Sequence, residues 1–142
     1  NISYDKINQL RHAKYFGTAE ALKKHMALHA AVLKRKFDIV LSAFSAELSG
    51  LGIAEWTEPK GGYFISLDVL PGTAKRVWQL CKEAGVTLTN VGATFPYGID
   101  PDDKNLRIAP SYPSDADLSR ATEVLCLCVK LAAAEKLARG NI

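Results

Sequence analysis

From Leu22 onward, apolar residues recur at steps of three, four and seven: Leu22, Met26, Leu33, Phe37, Val40, Leu41, Phe44 and Leu48. That spacing draws one stripe along an amphipathic α-helix of about eight turns. Thr18 supplies an N-cap, Glu20 places a negative charge in the first turn, and Gly50 and Gly52 stop the helix. It is expected to be the longest element of this chain of 142 residues.

The remaining elements are short. Residues 1–17 are mixed and polar, end at Gly17, and read as an arm. Pro59-Lys60-Gly61-Gly62 signals a turn, and residues 63–69 alternate as a strand. Pro71-Gly72-Thr73 turns the chain and caps a helix from Ala74 to Ala84, ended by Gly85 at C′. Residues 86–89 read as a short strand, 92–104 as a loop rich in Gly, Pro and Asp, and 105–109 as a third strand. Ser114 and Asp117 stand at capping-box spacing before a last helix with the stripe Leu118, Ala121, Leu125, Cys128 and Ala132. The order α-β-α-β-β-α predicts a two-layer α+β domain, a short sheet with helices packed on one face. The other sheet face is left uncovered, open to a larger partner domain.

Hydrophobic residues make up 48% of the chain and charged residues 23%, a globular balance. The net charge of +3 is mild, and its basic residues are scattered as solvated helix faces, so no nucleic-acid partner is expected. No apolar run reaches spanning length, so no membrane is expected either. Cys81, Cys126 and Cys128 include no CxxC and lie in apolar helical stretches, as small buried hydrophobes of a reducing, cytoplasmic compartment would. The chain opens on Asn1-Ile2-Ser3-Tyr4 without an initiating methionine, which reads as the middle of a larger polypeptide.

Arg107 is the residue with the sharpest chemistry. Alternation puts Leu106 and Ile108 on a core-like face and Asn105, Arg107 and Ala109 on the other. The guanidinium then presents a planar fork suited to bidentate grip of a carboxylate or phosphate. Other constellations are weaker. His25 and His29 have the spacing of a helical metal pair but no third ligand near them in sequence, so no metal is expected. Asp100, Asp102 and Asp103 are explained by turn chemistry. Gly61-Gly62 precedes a strand and not a helix, so it lacks phosphate-cradle geometry. Ser66, Ser111 and Ser114 have no nucleophile setting. The chain holds no self-sufficient catalytic set, and its chemistry must use groups supplied from elsewhere.

Four stretches carry a family likeness: Glu58-Pro59-Lys60-Gly61-Gly62-Tyr63-Phe64-Ile65-Ser66, Gly85-Val86-Thr87-Leu88-Thr89, Gly92-Ala93-Thr94-Phe95-Pro96-Tyr97-Gly98, and Asn105-Leu106-Arg107-Ile108-Ala109-Pro110-Ser111. In this order they resemble the C-terminal part of class I/II aminotransferases, fold-type I enzymes dependent on pyridoxal 5′-phosphate. The segment from Asp5 to His12 resembles the bacterial aspartate-aminotransferase-like subgroup. The resemblance implies that Arg107 grips the substrate's α-carboxylate and that Tyr63 and Phe64 stand near the substrate entrance. It places Asn105 in the same substrate-binding stretch, and Asn8 and Arg11 near the cofactor or a dimer contact. It implies that residues 1–17 come from a large domain, that residues 18–142 form the small domain, and that the long helix links the two. The Schiff-base lysine, the Asp that pairs the pyridine nitrogen and the phosphate-binding helix start belong to that large domain. The parent would be a homodimer moving an amino group between an amino acid, aspartate or a relative, and a 2-oxo acid such as 2-oxoglutarate. The chain alone would be inactive. A ligand-sensing, aminotransferase-like module of a transcriptional regulator and a free-standing interaction domain are the competing readings.

Overall fold

The computed structural model describes residues 5–140. The long helix is present as α2, Ala19–Glu47, and the Thr18 side chain accepts a hydrogen bond from the Ala21 N–H as its cap. The second half of its stripe is core: Phe37, Val40, Phe44 and Leu48 are buried. Leu22 and Met26, by contrast, remain 40% and 59% exposed, so this chain's own core covers only the C-terminal half of α2.

The arm expected over residues 1–17 contains a helix, α1, Lys6–Phe16. Asp5 caps it by accepting from the Asn8 N–H at 3.0 Å, and Gly17 ends it at φ 65°. No residue of α1 is buried, which is why no apolar stripe announced it. It rests on α2 through aromatic edges, with Phe16 and His25 centroids 5.1 Å apart.

Three antiparallel strands form one sheet in the order β1 (Ala54–Trp56), β2 (Ile65–Val69), β3 (Asn105–Ile108). Ser66 faces Arg107 and Asp68 faces Asn105 across β2 and β3. β1 had no counterpart among the expected strands, because three residues with a polar centre make no alternation to detect. Residues 86–89 are not a strand. Helix α3 (Ala74–Glu83) ends in a Schellman arrangement, in which the N–H of Gly85 bonds Lys82 O and that of Val86 bonds Cys81 O. This takes up the first N–H that a strand would have used. Val86 and Leu88 still pack on the core, but across a cavity of about 120 Å³ shared with the end of β3 and the first turns of α4.

Ile65, Leu67, Val69, Leu106 and Ile108 turn to the helices and are buried, while Ser66, Asp68 and Arg107 lie on the opposite, open face. Each fully buried apolar side chain contributes about 1.5–3 kcal/mol, so this alternation holds the register firmly. Helix α4 (Asp115–Arg139) packs against both α2 and α3. Cys126, Val129 and Ala133 are therefore buried along with Leu118, Leu125, Cys128 and Ala132 of the expected stripe, which saw only one flank, while Ala121 is half-buried. Ser114 caps α4 as its spacing predicted, accepting from the Asp117 N–H and donating to its carboxylate. Lys36, buried in α2, donates to the Pro113 carbonyl and sits 3.7 Å from Asp115, joining α2 to the segment between β3 and α4.

Candidate functional site around Arg107

Arg107 stands on the open face of β3, opposite Ser66. Its guanidinium carbon lies over the Phe64 ring, 4.5 Å from the centroid. Its Nε is buried and has no hydrogen-bond partner. The ion pairs among the described residues use Lys34, Arg35, Lys36, Arg76, Lys104 and Lys130 and leave Arg107 out. A buried donor without an acceptor costs about 1–3 kcal/mol, so the fold tolerates here a guanidinium that an incoming anion can relieve.

Asn105, two residues earlier, is engaged on every side-chain atom that can bond. Its Nδ2 donates to Ser66 Oγ at 2.8 Å and to Asp68 Oδ1 at 2.5 Å, and its Oδ1 accepts from Thr94 Oγ1 at 2.6 Å. The amide thus ties β3 to β2 and to the loop before it. That loop is organised by Asp100, whose carboxylate accepts from the backbone N–H groups of Asp102, Lys104 and Asn105. Burial alone would raise the Asp100 pKa, but those three N–H donors and the Lys104 charge outweigh it and hold the group below its ordinary value. Gly92 closes the loop's other end: it adopts φ 81°, and a Cβ there would run into the Gly98 carbonyl.

Tyr63 and Phe64 precede β2 and are both largely exposed, at 61% and 47%. Asn8 and Arg11 lie on exposed α1, and their side chains have no hydrogen-bond partner among the described residues. His25 and His29 approach to 3.0 Å between Nε2 atoms, and no group of three potential metal ligands occurs among the described residues. All three cysteines are buried free thiols. Burial drives the Cys81 pKa far above its ordinary range and lifts Cys126 to about 11, with Glu47 adding to the latter. No helix among the described residues is long and apolar enough to cross a membrane. Ser66, Asp68 and Thr94 were not foreseen as members of the Arg107 neighbourhood. The signal was there for two of them, since Phe64, Ser66 and Asp68 alternate with the core residues Ile65, Leu67 and Val69.

The sequence profile of the aspartate aminotransferase family matches residues 1–141. The chain belongs to that family. It is 52% identical to an aspartate aminotransferase of Corynebacterium glutamicum over 96% of its own length, and it spans 32% of that protein. A crystal structure of an aspartate transaminase from the same species superposes with a TM-score of 0.90 at 51% identity, covering 96% of this chain and 32% of that one. The α-aminoadipate aminotransferase LysN of Thermus thermophilus shares the fold at 20% identity, with a TM-score of 0.67 over 89% of this chain and 30% of its own. The α+β architecture expected for a small aminotransferase domain is therefore the one observed.

Proposed function

We propose that this chain is the small, C-terminal domain of a cytoplasmic, homodimeric amino-acid aminotransferase, and that Arg107 grips the α-carboxylate of its substrates. The parent moves an amino group between aspartate or a related dicarboxylic amino acid and a 2-oxo acid such as 2-oxoglutarate. The single observation that carries this reading is the Arg107 guanidinium, with its Nε buried and lacking an acceptor. Donor and acceptor share one feature at the same place, a carboxylate beside the reacting carbon. A planar fork binding it bidentately fixes both distance and rotation, which is the contribution of orientation to rate. Asn105 serves the same site by fastening β3 to β2, and this reading assigns the exposed Tyr63 to the substrate entrance.

Pyridoxal 5′-phosphate, which the family implies, would supply the electron sink for breaking bonds at the substrate's Cα. The described residues of this chain do not form a seat for it. Lys36 is the buried lysine among them, and its ammonium is committed to the Pro113 carbonyl beside Asp115. Gly61 and Gly62 lead into β2, with no helix N-terminus behind them to receive a phosphate. The seat belongs in the part of the parent beyond this chain, which spans only 32% of its relative. The uncovered half of the α2 stripe, with Leu22 and Met26 outward, is the surface this reading assigns to that large domain. Asn8 and Arg11, exposed on α1, belong with it as cofactor or dimer contacts.

The test is Arg107→Lys in the full-length parent. A lysine keeps the charge but not the fork, so KM for the amino acid should rise about tenfold or more. An unchanged KM refutes the assignment.

A further inference from the structure

Most arginines in folded proteins are held by an acid or a carbonyl. Arg107 is held by a ring. Its Nε has no acceptor, and the described ion pairs leave it out. Its guanidinium instead lies over Phe64, 4.5 Å from carbon to ring centroid. Phe64 is 47% exposed, whereas its neighbour Ile65 is fully buried, so the core does not explain an aromatic at this position.

We infer that Phe64 is the positioning residue of the carboxylate grip: its ring holds the Arg107 guanidinium in place without spending any of the donors a ligand needs. This rests on the reading of Arg107 as the carboxylate grip. The chemistry favours a ring over the alternatives. An acidic side chain would orient the guanidinium as well, but it would occupy the N–H edge and compete with the ligand's own carboxylate. Guanidinium donors lie in the plane of the group. Contact with an aromatic face satisfies the cation through the ring quadrupole and leaves those in-plane donors free. The strand supplies the alignment. Phe64 lies two residues before Ser66, the register partner of Arg107, so the two side chains share the open face of β2 and β3. Without the ring, the long Arg side chain recovers rotamers that a ligand must then freeze out.

Two consequences separate positioning from a merely structural role. The carboxylate is common to amino acid and 2-oxo acid, so loss of the ring should weaken both alike. Its effect should also vanish when Arg107 is absent. The experiment uses the full-length holoenzyme and the variants Phe64→Leu, Phe64→Tyr, Arg107→Leu and the Phe64/Arg107 double replacement, with aspartate and 2-oxoglutarate as probes. Phe64→Leu should raise KM for both by the same factor, about three- to thirtyfold, the range a cation–π contact covers, with kcat little changed. Phe64→Tyr, which restores a ring face, should return KM to the parent value. On the Arg107→Leu background, Phe64→Leu should cost nothing further. The inference is overturned if Phe64→Leu leaves KM unchanged while Arg107→Leu raises it, if only one substrate is affected, or if the cost is undiminished without Arg107. If Arg107→Leu itself leaves KM unchanged, it is the carboxylate-grip reading that fails.

Discussion

Replacing Asn105 with Ala removes three side-chain hydrogen bonds at once: to Ser66 Oγ, to Asp68 Oδ1 and from Thr94 Oγ1. A neutral bond contributes about 0.5–1.5 kcal/mol and one to a charged group about 1.5–3 kcal/mol. The Asp68 bond must be discounted, because that side chain is 40% exposed and water can replace the lost donor. Thr94 is exposed and also rehydrates. The total loss is then about 2–4 kcal/mol. Urea unfolding can be followed through Trp56 on β1 and Trp78 on α3, which report on the sheet and on the helical layer. With a slope of about 1.5–2 kcal/mol per molar for a chain of this size, the midpoint should fall by about 1–2.7 M. Asn105→Asp should be worse at neutral pH, since it sets a second carboxylate where Asp68 Oδ1 now stands 2.5 Å from a donor. Acid should ease that penalty by protonating one of the pair. A loss under about 0.5 kcal/mol for Asn105→Ala, or no pH dependence for Asn105→Asp, would refute the account of Asn105 as the tie between β2, β3 and the preceding loop.

The thiols and the loop carboxylate give two further tests. Cys81, Cys126 and Cys128 are buried, and for Cys81 and Cys126 burial pushes the pKa upward, so native protein at pH 8 should react with a thiol reagent at least about 100-fold more slowly than unfolded protein, which should release all three; fast native labelling would contradict the packed core between α3 and α4. Asp100 has its folded-state pKa depressed, so the stability it contributes is complete above its unfolded pKa of about 4 and is lost as pH falls through the lower folded value. Asp100→Asn should therefore cost about 1–2 kcal/mol at pH 6, and its gap from the parent chain should close as pH falls below about 4; a gap that stays constant to pH 2 would sink the assignment.

Much of the local structure is legible in the sequence. The α2 stripe, the Thr18 and Ser114 caps, the Gly85 stop and the alternation of β2 and β3 each rest on residues close in sequence. Where reading failed, the deciding partners were remote. Residues 86–89 have strand composition, yet the α3 C-terminus claims the first N–H and a cavity separates the rest from β3. β1 exists because β2 offers an edge. Helix α1 is the exception, since its Asp5 cap is local and it is only the lack of a buried face that hides it. The Phe64 contact, like β1, was hidden by a remote partner. Composition suits Phe to a strand core, and only the pairing of Ser66 with Arg107 shows which face it takes.

Sequence by itself determined the elements whose signals are periodic or local, together with the family likeness and the candidacy of Arg107. Tertiary structure alone decided what surrounds that arginine. It left Nε without an acceptor, laid the guanidinium over Phe64, and spent the Asn105 amide on Ser66, Asp68 and Thr94. The physical reason is that capping and amphipathicity act between residues a few positions apart, whereas these contacts join residues 11 to 43 positions apart, brought together only when β2 and β3 pair and the loop before β3 folds back on it.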